Sequence, residues 1–175
     1  VKLTAFYSQF DPLNPTGKVF TREELLSLGA FAVKYNLTIL SDEIWSDIVY
    51  SPAKFTSIAS LNEEIRNQTI TVTGFSKSYG MAGLRIGVVI AHNKIHYKKL
   101  FDNSMHQYTV HGVSVLSQVG AIAALNECGY WVEQFVAHTK KMRDILVAEV
   151  NSIQGLSCTA PDGCYVAFID IRKTG

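Results

Sequence analysis

The chain has 175 residues, of which 47% are hydrophobic and 18% charged, with 16 basic and 15 acidic side chains. That length suits one domain, or one domain and a piece of another, and the composition suits a soluble chain with a large buried core. A net charge of +1 argues against a nucleic-acid or membrane partner, so an anionic ligand would need a local pocket of positive charge.

In chain order, Leu3 to Tyr7 alternates loosely and predicts a strand, followed by the turn-rich stretch DPLNPTG at 11–17. Thr21 precedes Glu24 by three positions, the spacing of a capping box, and the helix it opens is expected to run to about Tyr35 with Asn36 as C-cap. Leu37 to Leu40 is a short apolar run leading into Ser41 and Asp42. A loop containing Pro52 follows, then a short helix near Ala59 to Arg66. Thr69 to Thr73 and Ile86 to Ala91 read as further strands. Strand, helix, strand, helix, strand in succession implies a mostly parallel α/β sheet. The link between the last two strands is only about a dozen residues, marginal for a parallel crossover, which leaves room for the Ile86 strand to run antiparallel. From Asn93 the pattern turns helical. Val115 to Leu125 is a small-residue helix. Trp131, Phe135, Met142 and Leu146 mark one face of a long helix ending near Ile153. Short strands are expected at Leu156–Thr159 and Tyr165–Ile169. The pattern divides the chain at residues 125 and 126, the second part being the start of a smaller domain. The opening VKLTAFYSQF reads as a core strand entered in mid-fold, and the chain stops five residues after another apolar strand, so both ends suggest a fragment.

Cys128, Cys158 and Cys164 are odd in number and irregular in spacing. They argue against a disulfide scaffold and read as buried thiols of a cytoplasmic protein. No apolar run approaches the ~20 residues of a membrane span. His92, His96, His106, His111 and His138 lack metal-ligand spacing and read as structural or surface residues. Gly17-Lys18 is no phosphate-binding P-loop, because Pro12 stands where its first glycine should be.

Ligands of an open parallel sheet bind beyond the carboxyl ends of its strands. Three polar residues fall there: Asn14 after the first strand, Asp42 at the end of the second and Lys77 just past the third. Polar side chains are costly to bury without partners, so three at one edge point to a shared ligand. In GFSKSYGMAGLRIG, the glycines Gly74, Gly80, Gly83 and Gly87 permit tight turns, and Ser76 with Arg85 makes a phosphate seat. A lysine beside that seat becomes a nucleophile when burial or neighbouring positive charge lowers its pKa.

These blocks carry a resemblance. Asn14-Pro15-Thr16-Gly17, Ser41-Asp42-Glu43-Ile44, and Ser76-Lys77 with Arg85 eight residues on, spaced by about 28 and 35 residues, resemble the ordered signatures of fold-type I pyridoxal-phosphate (PLP) aminotransferases. PDGCYVAFID, Pro161 to Asp170, resembles the strand region that opens the family's small domain. The resemblance implies part of a three-layer large domain over residues 1–125. Residues 126–175 would supply the connecting long helix and the beginning of the small α+β domain. It also implies roles. Lys77 would form the internal aldimine with PLP and shuttle protons between substrate Cα and cofactor C4′. Asp42 would pair with the pyridine nitrogen, Asn14 would reach O3′, and Ser76 and Arg85 would hold the phosphate. Amino-acid and keto-acid substrates and a homodimer are implied in the same way. Two positions depart from the family's pattern. Trp45 stands where a tyrosine often reaches O3′, and it can donate but not accept; Gly74 stands where a hydroxyl residue often contacts the phosphate. NPTGKVFTREEL, SDEIWSDIVY and FTSIASL also resemble the carbon–sulfur β-lyases of the cystathionine lyase type, although these often carry His at the Trp45 position. A catalytically incomplete fragment is the alternative of another class. The family's glycine-rich phosphate loop and ring-stacking aromatic precede the Asn14 block, and its substrate-carboxylate arginine follows the small-domain strands. Such a fragment would expose apolar surface and self-associate.

Overall fold

The computed structural model describes residues 5–8 (backbone only), 11–105, 108 and 112–174. Val1 to Thr4, which include the first part of the expected opening strand, and His106 and His111 lie outside the described residues. A four-stranded sheet runs in the order β1 (Ala5–Ser8), β2 (Thr38–Asp42), β3 (Thr69–Gly74), β4 (Gly87–Ala91). The first three strands are parallel, with Ser8 opposite Ser41 and Asp42 opposite Val72. β4 returns antiparallel, with Gly87 opposite Gly74. The short link does not leave room for a full crossover helix; a 3-10 turn at Ala82–Leu84 reverses the chain instead. The carboxyl ends of β1, β2 and β3 and the amino end of β4 therefore share one edge.

Helix α1 (Arg22–Lys34) begins as the sequence predicts. The Glu24 amide donates to Thr21 Oγ1 (3.2 Å) and the Thr21 amide donates to Glu24 Oε2 (2.9 Å), satisfying two orphan donors of the first turn. It ends one residue earlier than expected, with Tyr35 as the cap and Asn36 just past it in the left-handed region (φ 51°). The amides of Asn36 and Leu37 donate to Val33 O (3.1 Å) and Ala32 O (2.8 Å), the paired bonds of a Schellman end. Leu25, Ala32, Leu37, Ile39, Ile58, Leu61 and Ile65 close the core between α1, the sheet and α2 (Glu63–Gln68). The helix expected near residues 59–66 is divided into a 3-10 turn at Ile58–Ser60 and α2, because the Asn62 side chain accepts from the Ile65 amide (2.8 Å) and starts a new helix.

Helix α3 (Lys94–Asn103) follows β4, and α4 (Val115–Glu127) and the long α5 (Gly129–Ser152) meet at Cys128. β5 (Ser157–Cys158) pairs antiparallel with β6 (Ile169–Asp170). The strand expected over Tyr165–Ile169 is confined to its last position and Asp170, and the residues just before the expected span are tied to the 48–49 segment. Gly163 bridges Val49, and Cys164 adopts a left-handed backbone (φ 54°) that a continuous ladder does not accommodate. β4 and α4 leave a broad apolar face open: Val89 is 57% exposed and Leu116 75%. Among the described residues, no helix is long and apolar enough to cross a membrane, and no group of three or more His, Cys, Asp or Glu is placed to hold a metal.

Candidate cofactor site at the carboxyl edge of the sheet

β2 delivers Asp42 to the edge and a tight turn holds it there. Asp42 Oδ1 accepts from the Ile44 amide (3.1 Å), while the Glu43 amide donates to Val72 O on the neighbouring strand (2.8 Å). The Glu43 side chain points inward. Its Oε1 accepts from Ser41 Oγ (3.0 Å) and Ser57 Oγ (2.7 Å), yet burial outweighs both hydrogen bonds and pushes its carboxyl above the usual range. Two adjacent acidic residues thus face different environments: Asp42 sits half-buried at the edge, Glu43 in the interior.

Trp45 follows in the same turn and is 3% exposed. The turn that leaves β3 brings Lys77 to it. Phe75 anchors that turn by packing on Ala121 and Ala124 of α4, and its carbonyl accepts from the amides of Tyr79 (3.2 Å) and Met81 (3.3 Å). Lys77 Nζ lies over the indole of Trp45, 4.8 Å from the ring centroid. Among the described residues, neither Lys77 nor Arg85 has a carboxylate partner. Arg85 is exposed and left-handed (φ 51°) two residues before β4; Ser76, half-buried, precedes Lys77. Gly74 has a packing reason for lacking a side chain. A Cβ there would lie 3.3 Å from Gly87 Cα, Ile44 Cδ1 and Ile86 O, since β3 and β4 pinch together at this point.

Asn14 occupies a turn after β1 closed by the Leu13 amide to Lys18 O (2.8 Å) and the Gly17 amide to Leu13 O (2.6 Å). Its side chain is exposed and makes no hydrogen bond to a described residue. The structure thus brings Lys77 and Trp45 into contact, puts Asp42 three residues away in the same turn as Trp45, and delivers Ser76 and Arg85 to the same edge through β3 and β4. Asn14 reaches that edge through the loop after β1, without a direct contact to the others. Three residues of consequence escape the sequence reading. Tyr165 packs edge-on against Trp45, with centroids 4.5 Å apart. Tyr50 ties the 161–166 segment to the site by donating from its hydroxyl to Cys164 O (2.7 Å). Asp11 is 1% exposed beneath the Asn14 turn. No local pattern could reveal the first two, because their partners lie more than a hundred residues away; Asp11 looked like an ordinary turn residue.

An edge that offers a primary amine, a carboxylate, a guanidinium, a hydroxyl and an amide suits a small phosphorylated heteroaromatic aldehyde. Comparison with known proteins agrees. Residues 11–174 match the aminotransferase class I and II family, and the chain belongs to it. It is 37% identical over 161 residues to a protein of Aquifex aeolicus assigned as an aspartate/prephenate aminotransferase, covering 91% of this chain and 40% of that one. Among solved structures, a PLP-bound protein of Clostridium difficile assigned as an aminotransferase superimposes with a TM-score of 0.90 at 30% identity, over 95% of this chain and 43% of that one. A protein of Corynebacterium diphtheriae assigned as a PLP-dependent β-cystathionase superimposes with a TM-score of 0.85 at 28% identity, over 97% and 44%. The chain spans about two fifths of the length of such relatives.

Proposed function

We propose that this chain carries the lysine-bearing part of a PLP-dependent aminotransferase. The observation that carries the reading is the Lys77 amine, half-buried and without a carboxylate partner among the described residues, at the sheet edge where β2 ends in Asp42. The residues fit PLP by type: Lys77 for covalent attachment, Asp42 for the ring nitrogen, Asn14 for the phenolic oxygen, Ser76 and Arg85 for the phosphate. The cofactor, when bound, supplies an electron sink for the pair released at the substrate Cα. Lys77 Nζ would take the proton from that carbon and pass it on to the cofactor side during amino transfer. Asp42 would pair with the cofactor's ring nitrogen, and its bond from the Ile44 amide fixes its orientation. Trp45 limits where the Lys77 amine can rest and excludes water from one side of it. We place the end of the large-domain part at residue 125 and the start of the small domain's share at residue 126. We also propose a cytoplasmic homodimer with amino-acid and keto-acid substrates and no nucleic-acid or membrane partner.

The test is amino transfer by the complete PLP-loaded protein, together with the visible absorption of lysine-bound cofactor. Both are expected in the wild type, and both are lost in Lys77→Ala. Cofactor absorption unchanged in Lys77→Ala would refute the assignment. The likeness to the β-cystathionase-assigned structure favours a second reading, carbon–sulfur β-lysis. Pyruvate and ammonia released from cystathionine or cysteine, without need of a keto acid, would select it. A catalytically incomplete chain is the third reading: poor PLP binding and little turnover by the 175-residue chain alone would select it, whereas lack of cofactor absorption in the complete protein would count against the enzyme reading altogether.

A further inference from the structure

The polypeptide returns to the Lys77 edge through residues 161–166. The Gly163 amide donates to Gly17 O (2.9 Å), the Tyr50 amide to Asp162 O (2.8 Å) and the Cys164 amide to Ile48 O (2.9 Å), and the Tyr50 hydroxyl donates to Cys164 O (2.7 Å). The fit is close: a Cβ on Gly163 would lie 2.4 Å from Pro12 Cγ. A segment clamped on two sides fixes the direction of its next side chain. The Tyr165 ring meets Trp45 edge-on, with centroids 4.5 Å apart and planes at 74°, on the same indole that carries Lys77 Nζ. Phe135 of α5 meets Tyr165 at 5.8 Å and 83°, and Trp131 stacks on Phe135 at 6.1 Å. Trp45 is sealed, whereas Tyr165 is 45% and Trp131 46% exposed; of these two open rings Tyr165 is the one that touches Trp45, the indole under Lys77 Nζ. Arg143, the cation packed against the segment, is already engaged. Its Nη1 donates to Pro161 O (2.9 Å), it pairs with Asp144, and it lies over the Tyr50 ring. Among the described residues, a side-chain carboxylate would therefore meet an aromatic surface here rather than a free guanidinium fork.

We propose that Tyr165, backed by Trp45 and Phe135, is the surface on which the substrate amino acid lays its side chain, selecting aromatic and thioether side chains over acidic ones. This rests on Lys77 being the cofactor-bearing residue. Aromatic side chains prefer edge-to-face and offset contacts of the kind Tyr165 already makes, and they bring a large apolar area to the contact. A pocket of this type discriminates by about tenfold or more.

The test uses the complete PLP-loaded protein as wild type, Tyr165→Phe and Tyr165→Ala. Binding of two unreactive acids, phenylpropionate and succinate, is measured by calorimetry, and amino transfer is measured with phenylalanine, methionine and aspartate. The wild type is expected to bind phenylpropionate about tenfold tighter than succinate. Tyr165→Phe keeps that ratio and Tyr165→Ala loses it, with KM for phenylalanine rising about tenfold and KM for aspartate changing much less. Succinate bound as tightly as phenylpropionate by the wild type overturns the proposal, and that ratio decides even if Tyr165→Ala does not fold. A folded Tyr165→Ala with the wild-type ratio also overturns it. Chemical reduction of the same samples separates the failures. An unmodified Lys77 sinks the underlying reading, whereas a modified Lys77 with an unchanged ratio sinks only the role of Tyr165.

Discussion

Asp11→Asn removes a carboxyl group whose ionisation the folded state opposes. Asp11 is 1% exposed; Oδ1 accepts from the Phe20 amide (3.1 Å) and Oδ2 has no partner among the described residues. Burial raises its pKa from 3.8 to about 7. The Phe20 hydrogen bond opposes that rise, the negative charges of Glu43 and Glu24 add to it, and Lys18 opposes it weakly. Lys18 is already paired with Glu24 (2.5 Å), which limits its help. An acid with a raised folded pKa binds its proton more tightly in the native state. Its contribution to stability is therefore intact below pH 3.8, declines as pH rises, and is fully lost above about 7. Each tenfold gain in proton affinity on folding is worth about 1.4 kcal/mol, so the full loss is about 4 kcal/mol. Asparagine keeps the oxygen that accepts from Phe20 and cannot ionise. Urea denaturation of the complete protein and of Asp11→Asn across this range should give a stability difference that grows in favour of the variant by about 1.4 kcal/mol for each step of one in pH, then levels off above neutrality. A difference that stays flat across the range, or that grows in favour of the wild type, refutes the reasoning.

Gly17→Ala should destabilise the protein by about 2 kcal/mol or more, because φ is +69° and the new Cβ would overlap Pro161 Cβ at 2.2 Å. Thermal denaturation measures the loss, and release of the 161–166 segment should appear as faster amide exchange at Cys164. Tyr50→Phe deletes the buried bond to Cys164 O and leaves that carbonyl unpaired. A loss of about 1–2 kcal/mol by denaturant unfolding is expected, and an unchanged midpoint would show that the bond holds nothing. Thr21→Ala removes the side-chain half of the α1 capping box and should lower stability by about 1 kcal/mol in the same assay.

What could be read from the sequence was local. The Thr21–Glu24 box and the Asn36 end of α1 involve neighbours within five residues, and both appear, the end shifted by one position. Chain length left the direction of β4 open, since about a dozen residues are marginal for a parallel crossover, and the pairing with β3 decides it as antiparallel. Asp42 and Lys77 could be assigned to one edge because parallel strands place successive carboxyl ends side by side. The contacts that complete the site are of another kind. Tyr50 and Cys164 are 114 residues apart in sequence, and nothing within either segment marks the other. The expected strand from Tyr165 failed for the same reason, since the residues leading into it are held by Ile48 and Val49 rather than by β5. Gly74 read as a missing phosphate contact until the close approach of Gly87 and Ile86 gave the glycine a steric cause.

The central claim is that Lys77 is the covalent seat of the cofactor. The complete protein, incubated with PLP, reduced with borohydride and digested, should yield a pyridoxyl-modified peptide spanning Gly74 to Arg85 with the label on Lys77. A label on any other lysine, or none, would contradict the account.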